Sequence, residues 1–578
     1  MASKGPIVLI ILIILQACSQ EPDFPPTADS PIVITDPATA VTDRSATLNG
    51  RILIPETYAL NDHGFIVSQL VSDTLRHDTI SLGPDLHGEQ IQYQFKNMEI
   101  VDRELQIRAF AIINNTAYIG NLSELFFEGA LHTISTVTES SGIKGDTVSI
   151  FGDRFSDHPQ GIRVIFNEMQ ADIIDISTNE IRARVPGLTG DPLASVGVEI
   201  AKTMVVADSA FTYLPPVIHS IEPLVAAPGM VVTITGENFG YSGNEVEVLH
   251  NSTTIISESR SEIRFRILQP GFRTNSLLRI NHDGLTGLSE ENFLVYSPWR
   301  KIARYPYSGG GLNSFIIGSD GYAGGGNNRR FYRYSPQSNS WFRIADFPHS
   351  SFTGHTFTVQ NQGHMISGGS ISAGSLYQFH PDNGQGYWAE RARYPEVYHV
   401  LNKTGFEIGN KAYVLGGSIA EDDPTQPNFY SFDVFQNAWT EEQNFPIPYL
   451  RRGVGFTLSG EGYIGTGNYN GSPQSFFYKY DPIASTWEQI ANFPHETEFA
   501  VAFTIDDTAY VGLGTSNDPG IYVYNPNLDN WQVVATYPGN NLIVTAFTID
   551  GKAYIGGGSA RDFFEFDPEY LGSPPKER

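Results

Sequence analysis

Six tryptophans, all in the C-terminal half of the chain, mark a repeat that constrains the fold more than any other feature. Each is followed seven residues later by a proline, and an aromatic residue stands directly before that proline. Successive tryptophans are separated by about 42 to 51 residues, a spacing typical of repeated units that stack to bury their apolar faces. The pairs are Trp299/Pro306, Trp341/Pro348, Trp388/Pro395, Trp439/Pro446, Trp487/Pro494 and Trp531/Pro538.

Each repeat contains four short segments with strand character. The first is apolar, as in Val501–Thr504, and the second ends in glycine, as in Ala412–Gly417. The third alternates aromatic residues, as in Tyr430-Ser431-Phe432, and the tryptophan begins the fourth. Four short strands joined by Gly, Asn, Asp and Pro turns predict one blade of a β-propeller.

The repeats resemble the kelch family, in which a glycine pair, spaced aromatics and a tryptophan recur in every blade. The pairs here are Gly324-Gly325, Gly368-Gly369, Gly416-Gly417 and Gly556-Gly557. Blades four and five depart from the pattern, with Gly465-Thr466-Gly467 and Gly512-Leu513-Gly514. The resemblance implies a six-bladed kelch propeller over residues 298–570, followed by a short tail at 571–578.

The two ends of this region predict how the ring closes. It begins with a strand at Trp299 that has no repeat before it, and it ends with a third strand, Phe563–Asp567, that has no tryptophan after it. We therefore expect the Trp299 strand to complete the last blade, which would leave no free sheet edge.

The N-terminus resembles a bacterial lipoprotein signal. Lys4 precedes an apolar run from Ile7 to Leu15 that is too short to span a bilayer, and Leu15-Gln16-Ala17-Cys18 follows. The resemblance implies a signal peptide at 1–17 and lipidation of Cys18, which would anchor the chain without a membrane-spanning helix. Cys18 is the only cysteine, so no disulfide can form within the chain. A signal followed by an unmodified cysteine is the alternative.

Residues 18–30 form an acidic, proline-rich tether. Acidic residues directly after the cysteine resemble the surface-export signal of Bacteroidetes lipoproteins, which implies an outer-membrane protein facing the cell exterior; a periplasmic orientation is the alternative. The net charge of −27 argues against nucleic acid and against anionic membrane surfaces as partners.

The region between tether and propeller has turn signals every 8 to 12 residues and predicts β-sandwich domains. Two glycine-bounded strands, Gly145–Gly152 and Gly229–Gly236, are each followed by an aromatic residue three positions later. They resemble tandem IPT/TIG domains, immunoglobulin-like sandwiches, at 131–214 and 215–297. With a Gly64-Phe65 turn and an Arg108-Ala109-Phe110-Ala111 strand, residues 31–130 resemble a fibronectin type III domain. The predicted fold class is therefore all-β, with fibronectin type III and immunoglobulin-like sandwiches followed by the six-bladed propeller.

The chain carries no recognisable catalytic motif: His-Glu-x-x-His, Gly-x-Ser-x-Gly and a phosphate-binding glycine loop before a helix do not occur. Among kelch enzymes, galactose oxidase needs a cysteine–tyrosine link, and the propeller contains no cysteine. A sialic acid mutarotase-like activity stays open, since it needs only polar and acidic side chains at the mouth of the ring. We predict no enzyme, no cofactor and no metal.

Candidate ligand-binding residues lie in the loops that lead into the first strand of each blade and in the loops that follow the glycine motifs. Tyrosine rings beside Arg, His and Glu offer a flat apolar surface together with donors and acceptors, which suits a sugar. The candidates are Arg330, Tyr398, His399, Tyr449, Arg451, Tyr469, His495 and Glu496.

The layout resembles that of surface glycan-binding proteins in Bacteroidetes polysaccharide-utilisation systems. It implies a surface lipoprotein that binds a polysaccharide or oligosaccharide through its propeller, with an outer-membrane transporter complex as a further partner and the membrane contacted through the lipid alone. Two alternatives remain: a lipoprotein that binds another protein for adhesion or scaffolding, and the mutarotase-like enzyme. The first alternative would be marked by an apolar patch, and the second by Arg451 and Glu496 facing each other in the channel.

Overall fold

The computed structural model describes most of the chain after residue 29. The described residues are 30–42, 45–71, 74–96, 104–126, 132–155, 162–200, 203–308, 311–326, 328–349, 354–368, 374–382, 384–395, 402–417, 429–448, 450–540, 544–558 and 560–575. They form strands and one short 3-10 helix, Pro568–Tyr570. No helix in these ranges is long and apolar enough to cross a bilayer. Cys18 lies outside the described residues.

The first domain is a sandwich of two antiparallel sheets, one with the order β1-β2-β5 and one in which β6 pairs with β3, β7 and β8. Its core contains Leu48, Phe65 and Ala109, all fully buried. The strands are β1 (Ile32–Thr39), β2 (Ser45–Leu53), β3 (Leu60–Val71), β4 (Thr74–Gly83), β5 (Gln90–Lys96), β6 (Glu104–Ile113), β7 (Thr116–Ile119) and β8 (Ser123–Phe126).

The second domain pairs a large sheet, β17-β16-β12-β13-β14-β11-β9, with a small one, β10-β18-β15. Strand β11 alternates buried and half-buried residues, which is the period of a strand with one face in the core. The strands are β9 (Thr133–Thr138), β10 (Ser141–Gly142), β11 (Thr147–Asp153), β12 (Ile162–Phe166), β13 (Met169–Ile176), β14 (Glu180–Arg184), β15 (Leu193–Ala194), β16 (Val196–Ile200), β17 (Thr203–Val206) and β18 (Phe211–Tyr213).

The third domain has two four-stranded sheets, β19-β21-β24-β23 and β20-β26-β25-β22. Strand β24 alternates exposed and buried residues and places Phe265 in the core against Phe293. The strands are β19 (Val217–Glu222), β20 (Val225–Ala226), β21 (Val231–Glu237), β22 (Glu245–Glu247), β23 (Thr253–Glu258), β24 (Glu262–Ile267), β25 (Thr274–His282) and β26 (Leu285–Val295).

The propeller begins with β27 (Trp299–Lys301), and six four-stranded antiparallel sheets form its blades. Blade one contains β28 (Leu312–Ile317), β29 (Asp320–Gly325), β30 (Phe331–Ser335) and β31 (Ser340–Arg343). Blade two contains β32 (His355–Val359), β33 (Gln362–Ile366), β34 (Leu376–His380) and β35 (Tyr387–Glu390). Blade three contains β36 (Thr404–Ile408), β37 (Lys411–Leu415), β38 (Phe429–Asp433) and β39 (Ala438–Glu441).

Blade four is interrupted by a small hairpin, and blade six takes its outer strand from the beginning of the region. Blade four contains β40 (Val454–Leu458), β41 (Glu461–Gly465), β44 (Phe477–Asp481) and β45 (Thr486–Ile490), with the hairpin β42 (Asn468–Tyr469) and β43 (Ser472–Pro473) between β41 and β44. Blade five contains β46 (Val501–Ile505), β47 (Thr508–Gly512), β48 (Gly520–Asn525) and β49 (Asn530–Thr536). Blade six contains β50 (Thr545–Ile549), β51 (Lys552–Gly557) and β52 (Asp562–Phe566), together with β27.

The ring closes as the sequence predicts. Strand β27 pairs antiparallel with β52, and Trp299 lies opposite Phe566, so the last blade has the order β27-β52-β51-β50. The six innermost strands contact one another in a closed cycle, with β28 against both β32 and β50. The predicted all-β fold, sandwiches followed by a six-bladed propeller, is confirmed.

The tryptophan–proline repeat has a single structural cause, which we call the inter-blade latch. The aromatic residue before each proline packs edge-to-face on the tryptophan of the next blade, as Tyr394 does on Trp439 with ring centroids 5.0 Å apart. The same tryptophan donates its indole N–H to the carbonyl of Ala392, three residues before that proline, at 2.9 Å. The other indole donors are Trp341 to Ala303, Trp388 to Ala345, Trp487 to Gln443 and Trp531 to Ala491.

Candidate functional site

The antiparallel order within each blade determines which loops share a face. The chain enters every innermost strand from one side of the ring, here called the upper face, and the second strand returns to it. Loops that lead into a blade therefore lie beside loops that follow the glycine motifs, as we expected from the sequence. In blades four and five this is visible in the bonds from Gly467 N to Thr497 O, 2.8 Å, and from Thr515 N to Glu498 O, 2.9 Å.

A channel with a volume of about 580 Å³ runs between the six innermost strands. One phenylalanine in each of these strands is buried between blades, as Phe406 and Phe503 are. Because side chains alternate along a strand, the residues just before and after each phenylalanine face the channel. Before it stand Ser314, Thr356, Gly405, Gly455, Ala502 and Ala546, and after it stand Ile316, Thr358, Glu407, Thr457, Thr504 and Thr548.

Most channel hydroxyls bond to the neighbouring blade. Thr457 Oγ1 donates to the carbonyl of Glu407 at 2.7 Å, and Thr504 Oγ1 donates to the carbonyl of Thr457 at 3.1 Å. Thr356 Oγ1 makes the same contact with Ser314 O at 2.7 Å. These bonds join innermost strands that the blade sheets themselves do not connect, so the threonines support the ring.

Blade three adds two charged side chains to this lining, beside glycines of blades three and four. Lys403, just before β36, and Gly405 and Glu407 of β36 line the channel, and on β40 Gly455 stands beside Gly405. We call this stretch the charged strip: it has a lysine at its upper end, a carboxylate at its lower end, and two glycines at which a Cβ would clash with neighbouring backbone. The two charged residues are four positions apart, which in an extended strand is roughly 13 Å between their Cα atoms. His355 borders the charged strip, since a Cβ added at Gly405 would lie 3.0 Å from His355 Nε2.

The three titratable groups at the charged strip, Lys403, Glu407 and His355, have strongly shifted pKa values. Burial lowers the pKa of the Lys403 amine to about 7. Burial also raises the pKa of Glu407 to about 7, opposed by the backbone N–H of Thr358, 3.4 Å from Oε1. Burial, and then the charge of Lys403, lower the pKa of His355 to about 3. Shifted groups gathered in one cavity are a physical mark of a functional site.

Three residues directly before the channel-lining segments, which begin at Lys403, Gly453 and Ala500, occupy the same position of consecutive blades. We call them the mouth triad: Asn402, Arg452 and Phe499. Each has a left-handed backbone, with φ of 56°, 57° and 58°. The amide of Arg452 donates to Asn402 O, and the amide of Phe499 donates to Arg452 O, both at 3.1 Å. Asparagine tolerates this conformation, but for the arginine and the phenylalanine it costs about 1–3 kcal/mol each, and such strain concentrates at ligand sites.

Arg452 is the centre of this arrangement. Its Nη1 lies 3.0 Å from Glu498 Oε2, and its guanidinium carbon lies 4.7 Å from the ring centroid of Phe499. Its Nε is buried and has no hydrogen-bond partner among the described residues. The mouth therefore presents a guanidinium, a carboxylate, an amide and an aromatic ring on a strained scaffold, a set that can bind hydroxyl groups and an apolar face.

Two of the predicted candidates lie together on blade four. Arg451 makes two contacts with Asn468. Asn468 N donates to Arg451 O at 2.7 Å, and Arg451 Nη2 donates to Asn468 Oδ1 at 3.3 Å. Tyr469 follows in the β42–β43 hairpin. Arg330 lies apart on blade one, with its guanidinium carbon 4.7 Å from the ring centroid of Tyr307.

His495 and Glu496 lead into blade five. His495 Nδ1 is 3.6 Å from Asp518 Oδ2, and its ring packs against Phe493 and Tyr522. Burial lowers the pKa of His495, and the carboxylate of Asp518 opposes the shift. Glu496 is exposed. Neither Arg451 nor Glu496 lines the channel, so the pair that would have supported a mutarotase-like enzyme does not meet there.

The remaining candidates, Tyr398, His399 and Tyr449, lie outside the described residues. The sequence reasoning did not select Lys403, Glu407, His355 or the mouth triad. A signal for two of them was present: directly before and after the phenylalanine the other innermost strands carry only uncharged residues, whereas blade three has Lys403-Thr404-Gly405-Phe406-Glu407. In the described part of the chain, no three His, Cys, Asp or Glu side chains are grouped so that they could hold a metal.

Comparison with known proteins agrees with this architecture. The IPT/TIG domain family model matches residues 131–213 and 216–294. Mouse Kelch-like protein 35 is 23% identical over 228 residues, which is 38% of this chain and 38% of that protein. The chain thus spans well under half the length of that relative. The fold and these similarities define an all-β protein with two IPT/TIG domains and a kelch-type β-propeller.

Two solved structures show remote likeness. A Bacteroides thetaiotaomicron VPI-5482 protein of unknown function is 11% identical, with a TM-score of 0.34, and covers 76% of this chain and 98% of its own. The structure of YjhT is 13% identical, with a TM-score of 0.40, and covers 47% of this chain and 99% of its own.

Proposed function

We propose that this protein is a lipid-anchored protein of the bacterial outer membrane, facing the cell exterior, that binds a saccharide at the upper face of its propeller without turning it over. The ligand would be an oligosaccharide or polysaccharide, and the protein would serve a polysaccharide uptake system, beside an outer-membrane transporter complex.

The mouth triad carries the proposal. A bulky phenylalanine in a left-handed backbone is a rare conformation, and it recurs in register with Arg452 and Asn402 around one opening. Packing alone does not require it, because the same position is glycine in blade one, where Gly311 has φ 72°. The Arg452–Glu498 pair supplies a donor and an acceptor side by side, and Phe499 supplies an apolar ring, the combination that suits a pyranose.

The binding test separates function from stability. In the full chain, we expect Phe499→Asn to weaken saccharide binding about tenfold, since an aromatic platform contributes about 1–2 kcal/mol. The same change should leave the melting temperature unchanged or raise it, because asparagine tolerates a positive φ. Affinity electrophoresis on a polysaccharide panel and calorimetry would measure the two effects.

Phe435→Asn, on an exposed turn of the opposite face, is the matched control and should leave binding unchanged. Binding that survives both Phe499→Asn and Arg452→Ala would show that the triad is not the site. A wild-type chain that binds none of the polysaccharides would contradict the saccharide proposal itself.

The anchoring proposal rests on the sequence around Cys18 and is tested separately. We expect Cys18→Ala to move the protein from the membrane fraction to the soluble fraction, because lipidation at this residue would supply the attachment. Retention of the variant in membranes would contradict the lipoprotein assignment. Protease shaving of intact cells tests orientation, and full protection of the wild-type chain would argue for the periplasm.

Binding to another protein is the second candidate, and one observation favours it. On the lower face, the turns before the outer strands of blades three, four and five expose Phe435, Ile483 and Leu528, with exposed fractions of 68%, 96% and 69%. Exposed apolar side chains repeated on adjacent blades are typical of a protein-binding surface. Replacing all three by serine should abolish capture of a protein partner and leave saccharide binding intact.

A further inference from the structure

Blades four and five depart from the paired glycines of the repeat, and the proposed saccharide site does not by itself explain this. Their motifs are Gly465-Thr466-Gly467 and Gly512-Leu513-Gly514. In both, the middle residue and the last glycine have a positive φ, between 53° and 94°. Such a pair of left-handed residues turns the chain sharply after the second strand of the blade. Both turns bring the chain against the segment that leads into blade five.

Thr497 is the residue on which the two turns converge. It is fully buried, and its backbone carbonyl accepts a hydrogen bond from Gly467 N at 2.8 Å. Its Oγ1 donates to Leu513 O at 2.9 Å and accepts from Ser516 N at 3.4 Å. A Cβ added at Gly514 would lie 2.5 Å from the same Oγ1, so this close approach requires glycine. The hydroxyl thus fastens the loop that follows the blade-five glycine motif.

The same loop holds Glu498, the carboxylate that pairs with Arg452. Glu498 N donates to Thr515 Oγ1 at 3.2 Å, and Thr515 N donates to Glu498 O at 2.9 Å. Thr515 stands between the two loop residues that bond to the Thr497 hydroxyl, so its position depends on that hydroxyl. Glu498 Oε2 lies 3.0 Å from Arg452 Nη1, and Phe499 N donates to Arg452 O. A continuous series of contacts therefore joins Thr497 to the mouth triad.

We propose that Thr497 is a positioning residue for the saccharide site: its buried hydroxyl does not contact the ligand but fixes the blade-five loop, and with it Glu498 and Phe499. This inference rests on the proposed function and adds the residue that preorganises the site. Packing does not require a hydroxyl here, because the equivalent residue of blade four is Leu450, which is also fully buried. Contacts that are fixed before the ligand arrives lose less conformational entropy on binding.

Two variants of the full chain separate positioning from stability. Thr497→Val replaces the hydroxyl by a methyl group of similar size, whereas Thr497→Ser keeps the hydroxyl and removes a methyl group. Both should lower the melting temperature, since the first leaves buried polar groups without a partner and the second leaves a small cavity. Only Thr497→Val should weaken saccharide binding, about fivefold, the factor by which loss of one hydrogen bond shifts an equilibrium. Calorimetric titration with a polysaccharide that the wild-type chain retains measures the affinity.

Thr504→Val is the control on the same blade. It removes a similar hydroxyl bond, from Thr504 Oγ1 to Thr457 O, on an innermost strand away from the blade-five loop. It should lower the melting temperature and leave binding unchanged. Amide hydrogen exchange adds a measurement that needs no ligand: Thr515 N should exchange faster in the Thr497→Val variant than in the Thr497→Ser variant.

The outcomes distinguish this inference from the proposed function. If the wild-type chain binds a saccharide and the valine and serine variants of Thr497 bind it equally well, the positioning role is overturned and the saccharide site stands. Weaker binding by Thr504→Val, in proportion to its melting temperature, would likewise reduce Thr497 to a structural residue. A wild-type chain that binds no saccharide would overturn the proposed function and the positioning role together.

Discussion

Glu407 shows how one residue departs from the repeat that surrounds it. At the equivalent position one other innermost strand carries an isoleucine and the remaining four carry a threonine. The threonine hydroxyls can form hydrogen bonds with the neighbouring blade. The carboxylate instead lies in a desolvated channel, and this burial raises its pKa to about 7. The folded state therefore holds a proton that the unfolded chain releases near its ordinary value of 4.5.

This shift has a definite sign for stability. A folded-state pKa above the unfolded value contributes stability that is present below about pH 4.5 and is lost as the pH rises through about 7. As the pH rises from 5.5 to 8, the free energy of unfolding of Glu407→Gln should therefore increase by about 1–2 kcal/mol relative to that of the wild type. Urea unfolding at the two pH values measures the difference. Glu496→Gln, on an exposed loop, is the control and should show no such change relative to the wild type. An equal change in both variants would contradict the burial of Glu407.

At the scale of the element, the inter-blade latch explains why the sequence repeats tryptophan and proline at a constant spacing. Each tryptophan contacts the aromatic-proline loop of the preceding blade through ring packing, and five indoles add a hydrogen bond. Trp299 makes the ring contact with Tyr537, centroids 5.5 Å apart. Its Nε1 is buried and has no hydrogen-bond partner in the described part of the chain. The closing latch therefore depends on packing.

Trp299→Ala should destabilise the propeller about as much as Trp439→Ala, by about 3–5 kcal/mol, although Trp299 is the most distant in sequence from the blade it completes. The reason is that β27 is the outer strand of the last blade. Hydrogen exchange should show lost protection in β52, with a lower melting temperature. Unchanged protection there would contradict closure by β27.

Replacing Trp439 and Trp299 each by phenylalanine separates the contribution of ring packing from that of the indole hydrogen bond. Trp439→Phe keeps a ring but removes the bond to Ala392 O, so it should cost about 1 kcal/mol more than Trp299→Phe, where there is no such bond to lose. Equal costs would indicate that the indole hydrogen bonds contribute nothing measurable.

At the scale of the whole molecule, the third sandwich and the propeller are joined by a buried ionic cluster. Glu565, 1% exposed, pairs with Arg273 of the sandwich and with Arg300 of β27. Lys552 lies 3.8 Å from the same carboxylate. Arg273 also lies 4.3 Å from the ring centroid of Tyr570, and neighbouring Phe272 stacks on Phe564. The sandwich thus supports the blade that closes the ring.

Removing Arg273 should weaken this junction. Glu565 would keep two cations, so we expect Arg273→Ala to cost about 1–3 kcal/mol and to separate the melting transitions of sandwich and propeller in calorimetry. Arg279→Ala is the control on the same sandwich, because its pair with Glu247 is half exposed and should contribute less than about 1 kcal/mol. A single unshifted transition in the Arg273 variant would show that the cluster does not couple the domains.

Much of the architecture follows from the sequence alone. The period of Trp299 and its five counterparts, the glycine-ended strands and the alternating aromatics determine blade number, strand order and ring closure. These signals are local, since turns, strand alternation and repeat length are all written within about 50 residues. The sandwich domains follow for the same reason, from strands such as Gly229–Gly236.

The channel and its mouth depend on tertiary structure. Lys403, Glu407 and His355 acquire their shifted pKa values only when six strands from separate repeats enclose them. Phe499 and Arg452 contact each other above the channel-lining strands only because consecutive blades repeat a left-handed turn. Arg273 meets Glu565 across 292 residues. Burial, strain and such distant pairing are set by ring closure, which brings together residues that no local pattern connects.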